Sequence, residues 1–470
     1  MPFLRILKNG ALMAAAQSLS IVSQIVRSKL IAETLGAQGI GMLGIMNSFA
    51  GNVSSVSGWG LSTSAARLMA ADAQQKPLIA GAVIKLGRWL SIAGVALAVL
   101  TCLPMSQVTF DSSHYAMDLF LSGLAAPFLV ASGVFAAILQ VEGDVRSIAL
   151  AQSLGVLTGL AIGLLVIFLA GTPGIAVAII AAAAMPAVFL WFKARPVMKA
   201  YRTDFRREDV TRLLRMGGAL MIVGWLAQLS AYLVRLIIIK ETGLESSGYY
   251  QAAFSIASTA PLFVLAAMGN DYFPRIAAAR DEREARKAAE YQVQAALLIG
   301  LPFIVAIVCL GRLSLRVLYS QEFEPATGLL SWMGWGALCR LVSWPFGYWL
   351  LARGTGRQMV ILELIANASS VLVPLLLLPI YGVEGAAIGF FVASLFYLLI
   401  MAYVVRQRSG AWPAARVWNA FLLSALMLGL AQICMAGSKG YFLGIAPVLT
   451  ITALCAYIYH LCIKETASVK

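Results

Sequence analysis

The sequence is short of the residues that soluble catalysis and metal binding rely on. It has two histidines, His114 and His460, and six scattered cysteines in 470 residues. No two cysteines form a Cys-x-x-Cys pair, so the material for a zinc site or a histidine-based triad is missing. The cysteines read instead as small buried hydrophobes. No Gly-rich loop ends in Gly-Lys-Ser/Thr, which argues against ATP hydrolysis by this chain. Charge is scarce as well. Asp, Glu, Lys and Arg make up 12% of residues, about half the share found in soluble domains.

What is present is apolar. Hydrophobic residues make up 60% of the chain, and mean hydropathy is +0.85. Runs of about 20 apolar residues alternate with short polar breaks, each run long enough to cross a bilayer as a helix. Arg5 and Lys8 precede the first run in the manner of a signal peptide, but that run is too long and further runs follow at once. The pattern predicts an all-α polytopic membrane protein of about 14 transmembrane helices. They fall near 8–33, 38–71, 77–103, 115–140, 146–170, 174–195, 211–240, 246–278, 286–311, 325–353, 357–379, 383–406, 414–436 and 441–463.

The chain also repeats. Arg27, Glu33 and Thr34 return as Arg235, Glu241 and Thr242, and Arg67 returns as Arg275, all at one offset of 208. At an offset of 211, Gly143 and Arg146 return as Gly354 and Arg357, and Gly171 and Gly174 as Gly382 and Gly385. Four matches in order predict two homologous six-helix halves. The expected domains are an N-terminal lobe at 1–198, a linker at 199–210, a C-terminal lobe at 211–408, and helices 13 and 14 at 409–470 as an appended hairpin.

Positive charge keeps step with this count. Lys193, Arg195, Lys199, Arg206 and Arg207 crowd the break between helices six and seven, and Arg280, Arg283, Arg286 and Lys287 the next even one. The odd breaks at 104–115 and 170–174 hold no Lys or Arg. By the positive-inside rule, both termini and the linker are expected in the cytoplasm. The formal net charge of +14 is then a topology signal with attraction to anionic lipid. Nucleic-acid binding is not expected, because the basic residues are spread over several loops without an aromatic platform. With an even number of helices per half, both halves enter from one side, and a cavity is expected at their interface.

A polar side chain facing lipid is costly, so polar stripes should face protein or water. Gln17, Ser20, Gln24 and Arg27 share one face of the first helix, and Ser48, Asn52, Ser55, Trp59 and Ser62 form a stripe on the second. Gln228, Tyr232 and Arg235 share a face in the second half, as do Gln251, Ser255 and Ser258. Such residues either line a hydrated cavity or knit helices together. Arg27, Arg235 and Arg340 lie inside helices and suit an anion, because a guanidinium pairs bidentately with phosphate oxygens. Arg27 can also snorkel to the interface, and Arg340 can stack on an indole. Lys29 is four residues from Glu33 and reads as a local ion pair. Glu363, within the eleventh helix, either pairs with a base or carries a coupling proton.

Several segments resemble a known group: Arg27 with the Leu35-Gly36-x-x-Gly39-x-Gly41 handover, Gly248-Tyr249-Tyr250-Gln251, and Tyr272-Phe273-Pro274-Arg275. They are similar to polysaccharide exporters of the MOP superfamily, and more narrowly to Wzx-type flippases, including those for O-antigen and enterobacterial common antigen intermediates. The resemblance covers roughly residues 1–408. It implies two six-helix lobes in a V and a non-enzymatic role: moving undecaprenyl-diphosphate-linked glycan from the cytoplasmic to the periplasmic leaflet of the bacterial inner membrane by alternating access. It implies no cofactor, and it implies membrane lipid, a polysaccharide polymerase and a chain-length regulator as partners. Arg27 and Arg235 match the family's basic cavity residues best, with Arg340, Gln24, Asn52, Gln228, Tyr232 and Gln251 as further substrate-binding candidates. A lipid II-type flippase and a MATE-like drug or cation antiporter are the alternatives.

Overall fold

The computed structural model describes residues 2–71, 75–201, 207–354, 356–436 and 447–452. Among them all regular structure is helical, as the hydropathy pattern predicts. Expected helices one and two form one element, α1 (Pro2–Gly58), which reverses at Gly36, followed by α2 (Leu61–Ala71). Expected helix four is divided into α4 (Ala116–Gly123) and α5 (Ala125–Val141). In the first part of the chain the others are α3 (Lys76–Phe110), α6 (Val145–Ala170), α7 (Thr172–Ala200) and α8 (Arg207–Thr242). They are followed by α9 (Leu244–Ala278), α10 (Glu282–Cys309), a short α11 (Gly311–Leu318), α12 (Thr327–Arg353), α13 (Gly356–Tyr381), α14 (Val383–Ser409) and α15 (Ala415–Ala436). Helix 14 lies outside the described residues apart from 447–452, as does the 202–206 part of the 199–210 linker. Among the described residues, nine helices are long and apolar enough to cross a membrane.

The repeat is visible in its turns. Gly36, Gly171 and Gly382 share one backbone conformation, with φ of 64°, 64° and 59° and ψ of −159°, −130° and −147°. A side chain is strained there, which is why glycine recurs. Three residues later the helix starts back alongside its predecessor. Gly174 donates to the Gly171 carbonyl at 3.0 Å and Gly385 to that of Gly382 at 2.9 Å. A Cβ on Gly174 would lie 2.6 Å from the Val166 oxygen, and one on Gly385 2.4 Å from the Leu377 oxygen. Two turns in opposite halves of the chain thus use the same contact, eight residues back.

By packing, the chain divides into two compact units, Met1–Gly248 and Tyr249–Lys470. Within the first, α6 approaches α7 through Gly155, Gly159 and Gly163. Added Cβ atoms there would overlap Pro186, Ala181 and Ala178, the small-residue packing common in membranes. The boundary falls after α8, so α8 belongs to the second half by sequence order and to the first unit by packing. Hydrogen bonds along its length explain this. Trp59 Nε1 donates to the Leu214 carbonyl at 3.0 Å, and Asn52 Nδ2 to that of Gln228 at 3.0 Å. The hydroxyls of Thr109 and Tyr232 pair at 2.6 Å, and Lys240 Nζ reaches Asp111 at 2.5 Å. At the far ends of α3 and α5, Lys76 meets Glu142 at 2.6 Å, and the Tyr201 hydroxyl donates to the same carboxylate.

In the second unit α12 is the centre. Phe346 and Trp349 on it are fully buried, and Tyr272 of α9 donates to the Pro345 carbonyl at 2.6 Å. Helix α15 lies outside the repeat yet belongs to this core, with Val417 and Leu428 buried in it. A buried carboxylate fastens it. Glu290 of α10 accepts from the Ala414 amide and from Arg416 Nη2, both at 2.9 Å, with Arg286 Nε at 3.4 Å.

These contacts generate three tests by thermal or denaturant unfolding of the purified protein. Removing Glu290 strands Arg416 and Arg286, so Glu290→Ala should cost about 3 kcal/mol. Tyr232→Phe and Thr109→Val should each cost about 1 kcal/mol, and the double variant less than their sum, because each single change orphans a buried hydroxyl. Hydrogen bonds from Lys76 first and Tyr201 second hold the Glu142 carboxyl below the usual glutamate range. Its stabilisation is therefore present above the unfolded value of about 4.3 and is lost as pH falls through the depressed folded value. Glu142→Gln should destabilise at neutral pH by less than about 1 kcal/mol, and the difference from wild type should vanish on acidification.

Candidate substrate-binding site

The polar stripes divide between the two units. In the first, the outgoing limb of α1 carries Gln17, Ser20, Gln24 and Arg27. Gln17 and Gln24 are exposed and Arg27 is half-buried. The Arg27 Nε is itself buried and has no hydrogen-bond partner among the described residues. Two residues on, Lys29 Nζ pairs with Glu33 at 3.0 Å, as their spacing predicts. The matched cation of the repeat is held differently. Arg235 is 5% exposed, and its Nη1 donates to the Ala231 carbonyl on its own helix at 2.6 Å. The two arginines are related in sequence order, but only Arg27 keeps a buried donor open.

Asn52, Gln228 and Tyr232 lie in the joint between α1, α3 and α8. Asn52 spends its amide on the Ser48 and Gln228 carbonyls, and leaves its Oδ1 buried without a partner among the described residues. Gly51 lies against the Gln228 side chain, where a Cβ would come within 2.8 Å. Tyr232 is 3% exposed and bonded to Thr109. In the structure these three residues make contacts between helices, and Asn52 Oδ1 remains open. Thr109, which completes the pair, lies in a helix that showed no polar stripe.

In the second unit the structure gathers Arg340, Glu363 and Tyr397 from α12, α13 and α14. The Arg340 guanidinium stacks on Phe390, with its carbon 4.3 Å from the ring centroid, and it interacts electrostatically with Glu363, Tyr397 and Tyr250. Glu363 accepts from Asn367 Nδ2 at 3.3 Å and is hydrogen-bonded to Tyr397. Phe254 meets the Phe390 ring edge-on at 5.8 Å and stacks on Tyr250 at 5.9 Å. Gln251, one residue beyond Tyr250, donates to Ser255 Oγ at 2.9 Å. The aromatic partner of Arg340 is thus Phe390 on a neighbouring helix, where the sequence pointed to the tryptophans of its own. Tyr397 and Asn367 went unnoticed, though Asn367 stands one helical turn after Glu363. A cation stacked on a ring beside a hydrogen-bonded carboxylate can exchange that carboxylate for another anion, or release it to take a proton.

The fold and these clusters can be set beside known proteins. The sequence profile described as polysaccharide biosynthesis protein matches residues 6–280, more than half of the chain. Among curated proteins, none matches the sequence. Among solved structures, the lipid II flippase MurJ in an inward closed conformation superposes with a TM-score of 0.72 at 16% identity, over 96% of this chain and 99% of that one. An inward-facing multidrug resistance MATE family transporter of the MOP superfamily gives 0.70 at 18% identity, over 85% and 95%. A MOP superfamily transporter from Pyrococcus furiosus, whose binding pocket is described as reversed in polarity, gives 0.63 at 18%, over 86% and 95%. At these identities the superpositions establish the fold, which is that of multi-pass membrane transporters. By the profile match over more than half of its length, the chain belongs to the polysaccharide biosynthesis protein family.

Proposed function

We propose that this chain is a flippase carrying an undecaprenyl-diphosphate-linked oligosaccharide from the cytoplasmic to the periplasmic leaflet of the bacterial inner membrane. It serves assembly of a surface polysaccharide of the O-antigen or common-antigen type, and works by alternating access of lobes 1–198 and 211–408. It acts as a transporter and not as an enzyme, with both termini in the cytoplasm, and hands its cargo to a polymerase and chain-length regulator.

One observation carries the reading. On the outgoing limb of α1, in a polysaccharide-family chain, Arg27 keeps a buried Nε with no protein partner among the described residues. An unsatisfied charged donor in a medium of low dielectric is stabilised most by an anion, and phosphate oxygens match the guanidinium edge. The diphosphate is also the part of the cargo that cannot remain in lipid, whereas the polyprenyl tail can. In this reading Gln24, exposed on the next turn back, supplies a neutral contact, and buried Arg235 adds field rather than a direct ligand bond. Arg340 and Glu363 form the coupling pair: protonation of Glu363 frees Arg340, and deprotonation recaptures it.

A lipid II-type flippase is the second reading, favoured by the superposition over nearly the whole chain on a structure so named. It differs in the sugars and not in the diphosphate chemistry. A cation antiporter is less well supported, because the open buried donor of the first unit is itself a cation.

The test uses the purified full-length protein in vesicles containing undecaprenyl diphosphate linked to a fluorescent oligosaccharide, with leaflet transfer read by quenching from outside. Arg27→Ala should slow transfer by at least about tenfold, as expected for losing one charge-assisted hydrogen bond, at unchanged reconstitution. Arg27→Lys should retain part of the rate. Transfer by Arg27→Ala at the wild-type rate would remove the diphosphate role.

A further inference from the structure

A cleft of about 200 Å³ opens in the first unit where α1 gives way to α2, walled on its other sides by α5 and α8. The helix is interrupted there by Trp59 and Gly60, both in the left-handed region at φ 48° and 60°. Such a conformation is strained for tryptophan. It is braced by the hydrogen bond from the Trp59 indole to Leu214, and by close backbone contact of Gly217 with Trp59 and Gly60.

Three hydroxyls face this cleft, those of Ser54, Ser55 and Ser62. None has a hydrogen-bond partner among the described residues. The adjoining serines behave otherwise: Ser48, Ser57 and Ser64 each donate to a carbonyl three or four residues back on the same helix. Back-bonding is the default for a helical serine in an apolar setting. Three that decline it along one groove present donors and acceptors to something outside the protein. The opposite wall is apolar, built from Leu129, Val130, Leu220 and Met221, and no charged residue is among the described residues that line the cleft. Gly224 keeps the space open, since a Cβ there would meet nothing within 4 Å.

The chemistry of this lining selects its occupant. A diphosphate would find no cation. An acyl chain would leave three hydroxyls unpaired, which is costly away from water. A neutral ring with hydroxyls on its rim and C–H groups on its face satisfies both walls, which is the description of a pyranose. Depth adds a constraint. Gly39 packs back against Leu35 and Ile31, so α1 doubles back at Gly36. Counted from that turn at 1.5 Å per residue, Ser54 lies about 14 Å deeper than Arg27. A sugar in the cleft is therefore not the one bonded to a diphosphate at Arg27 but one farther along the glycan.

We propose that the cleft between α1, α2, α5 and α8 binds a neutral pyranose of the lipid-linked glycan, two or three sugars away from the diphosphate. This rests on the flippase reading above, and the test separates the two. Full-length protein in nanodiscs is titrated with undecaprenyl diphosphate and, separately, with undecaprenyl diphosphate bearing a neutral trisaccharide. Gly224→Leu adds a side chain at a cleft-lining position where a Cβ meets nothing within 4 Å, and it favours helix. It should melt as wild type does, weaken binding of the trisaccharide probe about tenfold and leave the sugarless probe unchanged. Replacing Ser54, Ser55 and Ser62 together by Ala should weaken the trisaccharide probe with the same selectivity. Unchanged trisaccharide binding in both variants would overturn the proposal, and so would equal weakening of both probes, which would assign the cleft to the polyprenyl diphosphate. Arg27→Ala judges the diphosphate reading by the sugarless probe alone, so either idea can fail while the other stands.

Discussion

Inside a bilayer a polar group that loses its protein partner has no water to turn to, and this constraint explains most of the molecule. It makes the regular structure of the described residues helical throughout, because a helix satisfies its own backbone. It explains why many of the helical serines and threonines bond back to their own helix, and why α8 is fastened to the first unit at successive levels by Trp59, Asn52 and Thr109. Against such thorough accounting the few open groups stand out. Among them, Arg27 Nε and the cleft serines are the ones on which the two proposals rest.

The clusters differ in character in a way that matches the parts of the proposed cargo. Around Arg27 the protein offers charge without a counter-ion. In the cleft it offers hydroxyls against an apolar wall. Around Arg340 it offers charge that is already answered, by the Phe390 face and by Glu363. A diphosphate, a sugar and an exchangeable proton make three different demands on their surroundings, and no single pocket chemistry would serve all three.

The sequence made the helices legible because apolar runs of membrane length have few other readings. It made the turns legible because Gly36, Gly171 and Gly382 must adopt positive φ. It made the stripes legible because the helical period puts Gln17, Gln24 and Arg27 on one face. Periodicity says which face is polar but not what the face meets. The same kind of stripe holds an open guanidinium at Arg27 and an interhelical joint at Asn52, Gln228 and Tyr232. Partners from other helices, such as Thr109, Tyr397 and Phe390, leave no mark at any fixed spacing. Nor did the breaks at Trp59 and Leu124 announce themselves, since neither is a residue that ordinarily stops a helix.

Glu290 has a consequence for how the molecule is made. Its partners Ala414 and Arg416 lie more than 120 residues later in the chain. At a synthesis rate of roughly 5–20 residues per second, α10 is threaded into the membrane about 6–25 seconds before those partners emerge from the ribosome. During that interval the carboxylate has only Arg286, one turn along its own helix, to keep it company. Maturation of the second half must therefore wait for α15, and until that helix arrives the acid on α10 has only part of its final set of partners.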